Sequence, residues 1–141
     1  REPVYAAADG IILRAVECVG DGGTDPAVFE QLYGNDVRID GNHIILEHSG
    51  GECSLYAHLQ QLSKPWKYGE SVQCGALLGY VGSTGNSSCP HLHFHVFKKQ
   101  GNFGPSIPVV FDNLLDIYGE PLNRPIRDDS LVFPKNKSVK T

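Results

Sequence analysis

Apolar residues in this chain come in short runs separated by turn residues. Pro3 to Ala7, Ile11 to Val19, His43 to His48, Cys53 to Leu59, Ser71 to Gln73, Leu77 to Val81 and Leu92 to Phe97 read as strands, bounded by Gly, Asp, Ser and Pro. Asp9-Gly10 predicts a hairpin between the first two, and Ser49-Gly50-Gly51 divides the third from the fourth. The last run is unusual. In Cys89-Pro90-His91-Leu92-His93-Phe94-His95-Val96 three imidazoles alternate with Leu92, Phe94 and Val96. Successive side chains of a strand point to opposite sides, so His91, His93 and His95 share one face while the apolar residues enter a core. Residues two apart lie about 6.6 Å from each other along a strand, and a histidine nitrogen reaches about 2 Å to zinc, so neighbouring rings can serve one metal and its water. A strand gains little packing from three adjacent histidines. This face is therefore a candidate metal or catalytic site.

Composition narrows the class. With 16 glycines and 9 prolines in 141 residues, the texture is that of an all-β domain with tight connections and one core. No apolar run is long enough to span a membrane. A net charge of −4 without a basic stripe argues against nucleic acid as partner, and Lys135, Lys137 and Lys140 read as a solvated tail. The absence of methionine, even at position 1, implies residues before Arg1 in the encoded protein, a cleaved signal peptide among the explanations. Cys18, Cys53, Cys74 and Cys89 fit no CxxC spacing; the even number suits an oxidising compartment and leaves three pairings open.

Residues 20–41 break the strand pattern and read as a loop insertion carrying Asp21, Asp25, Glu30, Asp36 and Asp40, with Phe29, Leu32 and Tyr33 able to form a helical turn. Asp36 and Asp40 are four apart before a strand, but their place in the insertion argues against a ligand role. Beyond residue 111, Leu114, Leu115 and Ile117 give way to a Pro-rich charged tail, so residues 1–111 are expected as the domain and 112–141 as a surface extension. The stretch from Tyr68 to Gly82 resembles the hairpin of lipoyl and biotinyl carriers, yet no lysine lies between Lys67 and Lys98 to bear a cofactor.

Five segments in order carry a more specific resemblance: Pro3-Val4-Tyr5-Ala6-Ala7-Ala8-Asp9-Gly10, Gly41-Asn42-His43-Ile44-Ile45-Leu46-Glu47-His48, Leu55-Tyr56-Ala57-His58-Leu59, Gly79-Tyr80-Val81-Gly82-Ser83-Thr84-Gly85-Asn86 and His91-Leu92-His93-Phe94, with a weaker echo at Pro108-Val109-Val110-Phe111-Asp112. Together they resemble the lysostaphin-type zinc metallopeptidases, of duplicated hybrid motif fold, which implies a mostly antiparallel β-sandwich or barrel-sandwich hybrid with a long loop insertion and little helix. The resemblance implies zinc and hydrolysis of peptide bonds, typically in peptidoglycan cross-links, by a secreted, periplasmic or cell-envelope protein. It implies that His93 is a zinc ligand and that His91 and His58 are catalytic. It also implies two further ligands, a histidine and an aspartate four apart, expected upstream of Arg1. Alternation puts Tyr56 and His58 on one strand face, with Leu55, Ala57 and Leu59 packing inward. His95 stands where the family usually has Glu and is read as a ring that supports a metal ligand from behind, a rescue ligand or an exposed ring; His43 and His48 are read as structural or exposed. Two alternatives remain: a non-catalytic relative that binds cell-wall peptide or a partner hydrolase, and a phosphocarrier using facing histidines.

Overall fold

The computed structural model describes residues 2–17, 31, 39–101, 104–115, 118–121, 124 and 133–134. The expected helical turn at Phe29, Leu32 and Tyr33, the acidic positions Asp21, Asp25, Glu30 and Asp36, Cys18, Ile117 and the terminal lysines lie outside these residues. Two compact units divide the chain, Arg1–Ser106 and Ile107–Thr141.

Eight strands form one antiparallel sheet: β1 (Pro3–Tyr5), β2 (Gly10–Val16), β3 (Asn42–Glu47), β4 (Glu52–Leu62), β5 (Ser71–Val72), β6 (Leu77–Val81), β7 (His93–Lys98) and β8 (Ser106–Ile107). The order runs β1-β6-β4-β3-β2-β5, with β7 on β4 and β8 on β7. In the second unit, β9 (Leu114–Leu115) pairs with β10 (Phe133–Pro134). The expected all-β antiparallel class is what the chain adopts.

The eleven-residue β4 organises the sheet. One edge follows β3 from Cys53 to Leu59. The other is shared: Glu52 to Ala57 pair with β7, and Leu59 to Leu62 pair with β6. The sheet therefore forks at His58, and the fork is closed by a bridge between Gly82, just after β6, and His91, just before β7.

Alternation along the central strands buries both faces. Ile44, Leu46, Tyr56, Leu59 and Leu78 pack in one cluster, while Ile45, Cys53, Leu55, Ala57 and Phe97 form a second on the opposite side. The single core expected from sequence is thus two clusters separated by the sheet. Phe94 packs against the first, as expected, but Leu92 precedes β7 and is 38% exposed.

The Asp9-Gly10 hairpin does not form. β1 pairs with β6 and β2 with β3 and β5, so the dipeptide is a crossover between different neighbours. A two-residue hairpin turn needs positive φ, which Gly10 lacks. Asp9 is held instead by long-range bonds, its carboxylate accepting from the Cys74 amide at 2.7 Å and its carbonyl lying 2.7 Å from Nδ1 of His48. β5 and β6 likewise pair with other strands and not with each other, so the carrier-like hairpin is absent. The Ser49-Gly50-Gly51 turn does join a true hairpin, with Gly50 and Gly51 at φ +102° and +79°. Cys53, Cys74 and Cys89 are free thiols; burial, and secondarily the Glu47 charge, raises the pKa of Cys53.

Candidate functional site

Where β4 changes neighbours, its backbone leaves the extended region. His58 has φ +61°, the only non-glycine with positive φ among the described residues, and the β3–β4 register slips by one residue beside it. A side chain in this left-handed conformation costs roughly 1–2 kcal/mol, so surrounding contacts must hold it. They do so through the 84–86 loop: Nδ1–H of His58 donates to the Thr84 carbonyl at 2.8 Å, and Thr84 Oγ1 in turn donates to the Leu59 carbonyl and accepts from the Asn42 amide. The loop is locked against residues 39–41. A Cβ on Gly41 would meet the Thr84 backbone at 2.4 Å, and one on Gly85 would meet the Gly41 nitrogen at 2.3 Å.

The register slip corrects the expectation that Tyr56 and His58 share a face. Leu59, not His58, joins Tyr56 in the first cluster, while Leu55 and Ala57 belong to the second, on the side that carries His93 and His95. Tyr56 is a core residue: its hydroxyl accepts from the Ala7 amide at 2.9 Å and its ring lies 5.1 Å from Phe94.

The slip delivers His58 to the histidine run. Its ring centroid lies 4.7 Å from that of His91 and 5.8 Å from that of His93; His93 lies 5.1 Å from His95, which lies 5.6 Å from Phe97. His58, His91 and His93 therefore meet at one place, and His95 extends the row. Their settings differ. His58 is 3% exposed, and burial pushes its pKa below the ordinary imidazole value, opposed by the bond to Thr84 and reinforced by the charges of His91 and His93. His91 and His93 are exposed. His95 is half-buried and is also held low, first by burial and then by His93.

Two of these rings have a fixed tautomer. A carbonyl only accepts, so His58, bonded through Nδ1 to Thr84, and His91, bonded through Nδ1 to the Cys89 carbonyl at 2.8 Å, both carry their proton on Nδ1 and keep a lone pair on Nε2. Nε2 of His93 lies 2.8 Å from Nδ1 of His95, and Nδ1 of His93 makes no hydrogen bond among the described residues.

The remaining histidines are structural. His43 is fully buried with Nδ1 on the Gly41 carbonyl, and His48 bridges the Asp9 carbonyl and Ser54 Oγ. Sequence reasoning undervalued Asp40. It is 8% exposed rather than part of a solvated loop, and its charge favours the protonated forms of both His58 and His95. Nothing in an aspartate beside a glycine-rich insertion signals that burial.

The residues present fit zinc in donor chemistry, since imidazole is among its preferred ligands and His93 offers an unengaged nitrogen beside further rings. Among the described residues, however, no set of three His, Cys, Asp or Glu side chains converges as a metal centre. No helix among them is long and apolar enough to cross a membrane.

Residues 1–105 match the model of "Peptidase family M23". The DD-carboxypeptidase/endopeptidase Mpg of Neisseria meningitidis is 43% identical over 92 residues, 65% of this chain and 16% of that protein. Among solved structures, the catalytic domain of the prophage-encoded M23 protein EnpA of Enterococcus faecalis superposes with TM-score 0.55 at 21% identity, over 75% of this chain and 65% of that one, a likeness of fold. The catalytic domain of the antimicrobial peptidase lysostaphin of Staphylococcus simulans gives TM-score 0.50 at 30% identity, over 70% and 60%. The chain spans about a sixth of the length of the curated Neisseria relative.

Proposed function

The chain belongs to peptidase family M23, and on that ground we propose that it is a zinc-dependent endopeptidase of the cell envelope that hydrolyses peptide cross-links of peptidoglycan. The observation that carries this reading is the meeting of His58, His91 and His93 at the fork of the sheet, with a bare Nε2 on two of the rings. The phosphocarrier alternative has no counterpart in the family match.

Among the described residues His93 would hold zinc; the partners implied by the resemblance are a histidine and an aspartate elsewhere in the encoded protein. Zinc, when bound, supplies Lewis-acid polarisation of the scissile carbonyl and a more acidic water. The chain's own part is proton handling. Nε2 of His58 and of His91 are acceptors, each held in place by an Nδ1–H bond to a backbone carbonyl. With the rings 4.7 Å apart, one of the two takes the proton of the attacking water. The same imidazolium then donates it to the leaving amine, and while protonated it stabilises the oxygen that gains negative charge.

The test uses the full encoded protein on purified peptidoglycan, with metal content measured in parallel. The expected result is one zinc per chain and release of soluble fragments, both lost in His93→Ala, with release alone lost in His58→Ala. Unchanged zinc and turnover in His93→Ala overturn the assignment. A second reading is a non-catalytic relative that binds cell-wall peptide or a partner hydrolase; it accords with the lack of three converging metal-ligating side chains among the described residues. It predicts no fragment release and peptidoglycan pull-down that survives His58→Ala.

A further inference from the structure

His95 is the member of the ring row that has no part in the proposed chemistry, yet it makes the closest side-chain contact to His93. Its Nδ1 stands 2.8 Å from Nε2 of His93, the rings inclined at 65°. The ring is braced from behind by Phe97, 5.6 Å away and fully buried, and faces across the strands to Leu55, 1% exposed. Two ring nitrogens at this separation need one proton between them, carried by one and accepted by the other. A neutral imidazole has only one N–H, so the direction of this bond decides which nitrogen of His93 keeps a lone pair.

We propose that His95 is a positioning residue that accepts the Nε2–H of His93, fixing His93 in the Nε2–H tautomer and reserving Nδ1 as its donor nitrogen. The reverse direction puts the proton on Nδ1 and leaves His93 with no lone pair outside the His93–His95 contact. Histidines that ligate metals characteristically commit their other nitrogen to such a partner, usually a carboxylate or carbonyl. Here another imidazole takes that place. The proposal rests on the ligand role given to His93 above.

The test reads protons directly. Long-range 1H–15N correlation spectra of the metal-free, 15N-labelled protein, at a pH where the rings are neutral, are expected to give His93 as a single tautomer protonated at Nε2. His95→Ala should turn His93 into a tautomer mixture, and His95→Glu, which keeps an acceptor, should restore the single form. In zinc-competition titrations, His95→Ala should lower affinity about 10–100-fold and His95→Glu should recover it. A wild-type His93 protonated at Nδ1 overturns the proposal without any variant, as does an unchanged His93 tautomer in a folded His95→Ala protein. A wild type that takes up no zinc overturns the ligand role of His93, while the metal-free spectra still decide the role of His95.

Discussion

The two strands that build the histidine cluster do so by opposite means. β7 presents His93 and His95 by unbroken alternation, each opposite a small or apolar residue of β4, Ala57 and Leu55. β4 presents His58 by breaking alternation, through a left-handed residue at the point where it exchanges β7 for β6. A regular strand offers a row of side chains on one line; an irregular one can aim a single side chain off that line. The site needs both, because His58 must reach rings that a straight β4 would leave on the far side of the sheet.

The largest expected effect concerns the reaction. His58→Ala and His91→Ala should each lower kcat for peptidoglycan cleavage by about 10²–10⁴-fold. The double variant should cost little more than the worse single one, because residues that act as a unit are not additive. Additive losses would mean that the irregular and regular strands contribute independently.

Next comes the support beneath the irregular residue. Gly41→Ala places a Cβ against the Thr84 backbone and should destabilise the fold by about 1–3 kcal/mol, read as a lower urea midpoint. Gly50, at positive φ with open space around it, should tolerate alanine at the cost of backbone strain alone, a smaller loss.

A direct comparison of the two strands follows. At a left-handed position glycine is favoured, so His58→Gly should be more stable than His58→Ala by about 1 kcal/mol. At His93, in regular strand, the order should reverse, with alanine ahead by about 0.5–1 kcal/mol. Denaturant titrations of the four variants decide this, and the same order at both positions would contradict the fork geometry.

The smallest effect is on pH dependence. Burial raises the pKa of Tyr56, two residues before His58 on the regular part of β4, above its ordinary value of 10.0. A group raised on folding lends stability that is fully present below pH 10 and is lost as pH climbs through the folded value. Thermal melts should therefore fall on the alkaline side, and Tyr56→Phe should flatten that limb.

These contrasts explain what was readable beforehand. The face shared by His93 and His95 follows from a period of two within one strand, and such local patterns survive folding. The face of His58 could not be read that way, since its displacement arises because β4 has two neighbours on one edge, a fact of pairing between distant segments. Asp9-Gly10 fails for a related reason: a turn-forming dipeptide is overruled once β1 finds a better edge at β6. Meeting His58 with His91 and His93 came from ordered motif resemblance, which carries non-local information that alternation lacks.

Cys89 offers a practical consequence. Its thiol is exposed, while its own carbonyl holds the imidazole of His91. A fluorophore attached there by maleimide chemistry reports on the doorstep of the histidine cluster, with Cys74 and Cys18 first changed to serine and the buried Cys53 left silent. Quenching or polarisation of that dye would time the arrival and departure of peptide strands without any chromogenic substrate.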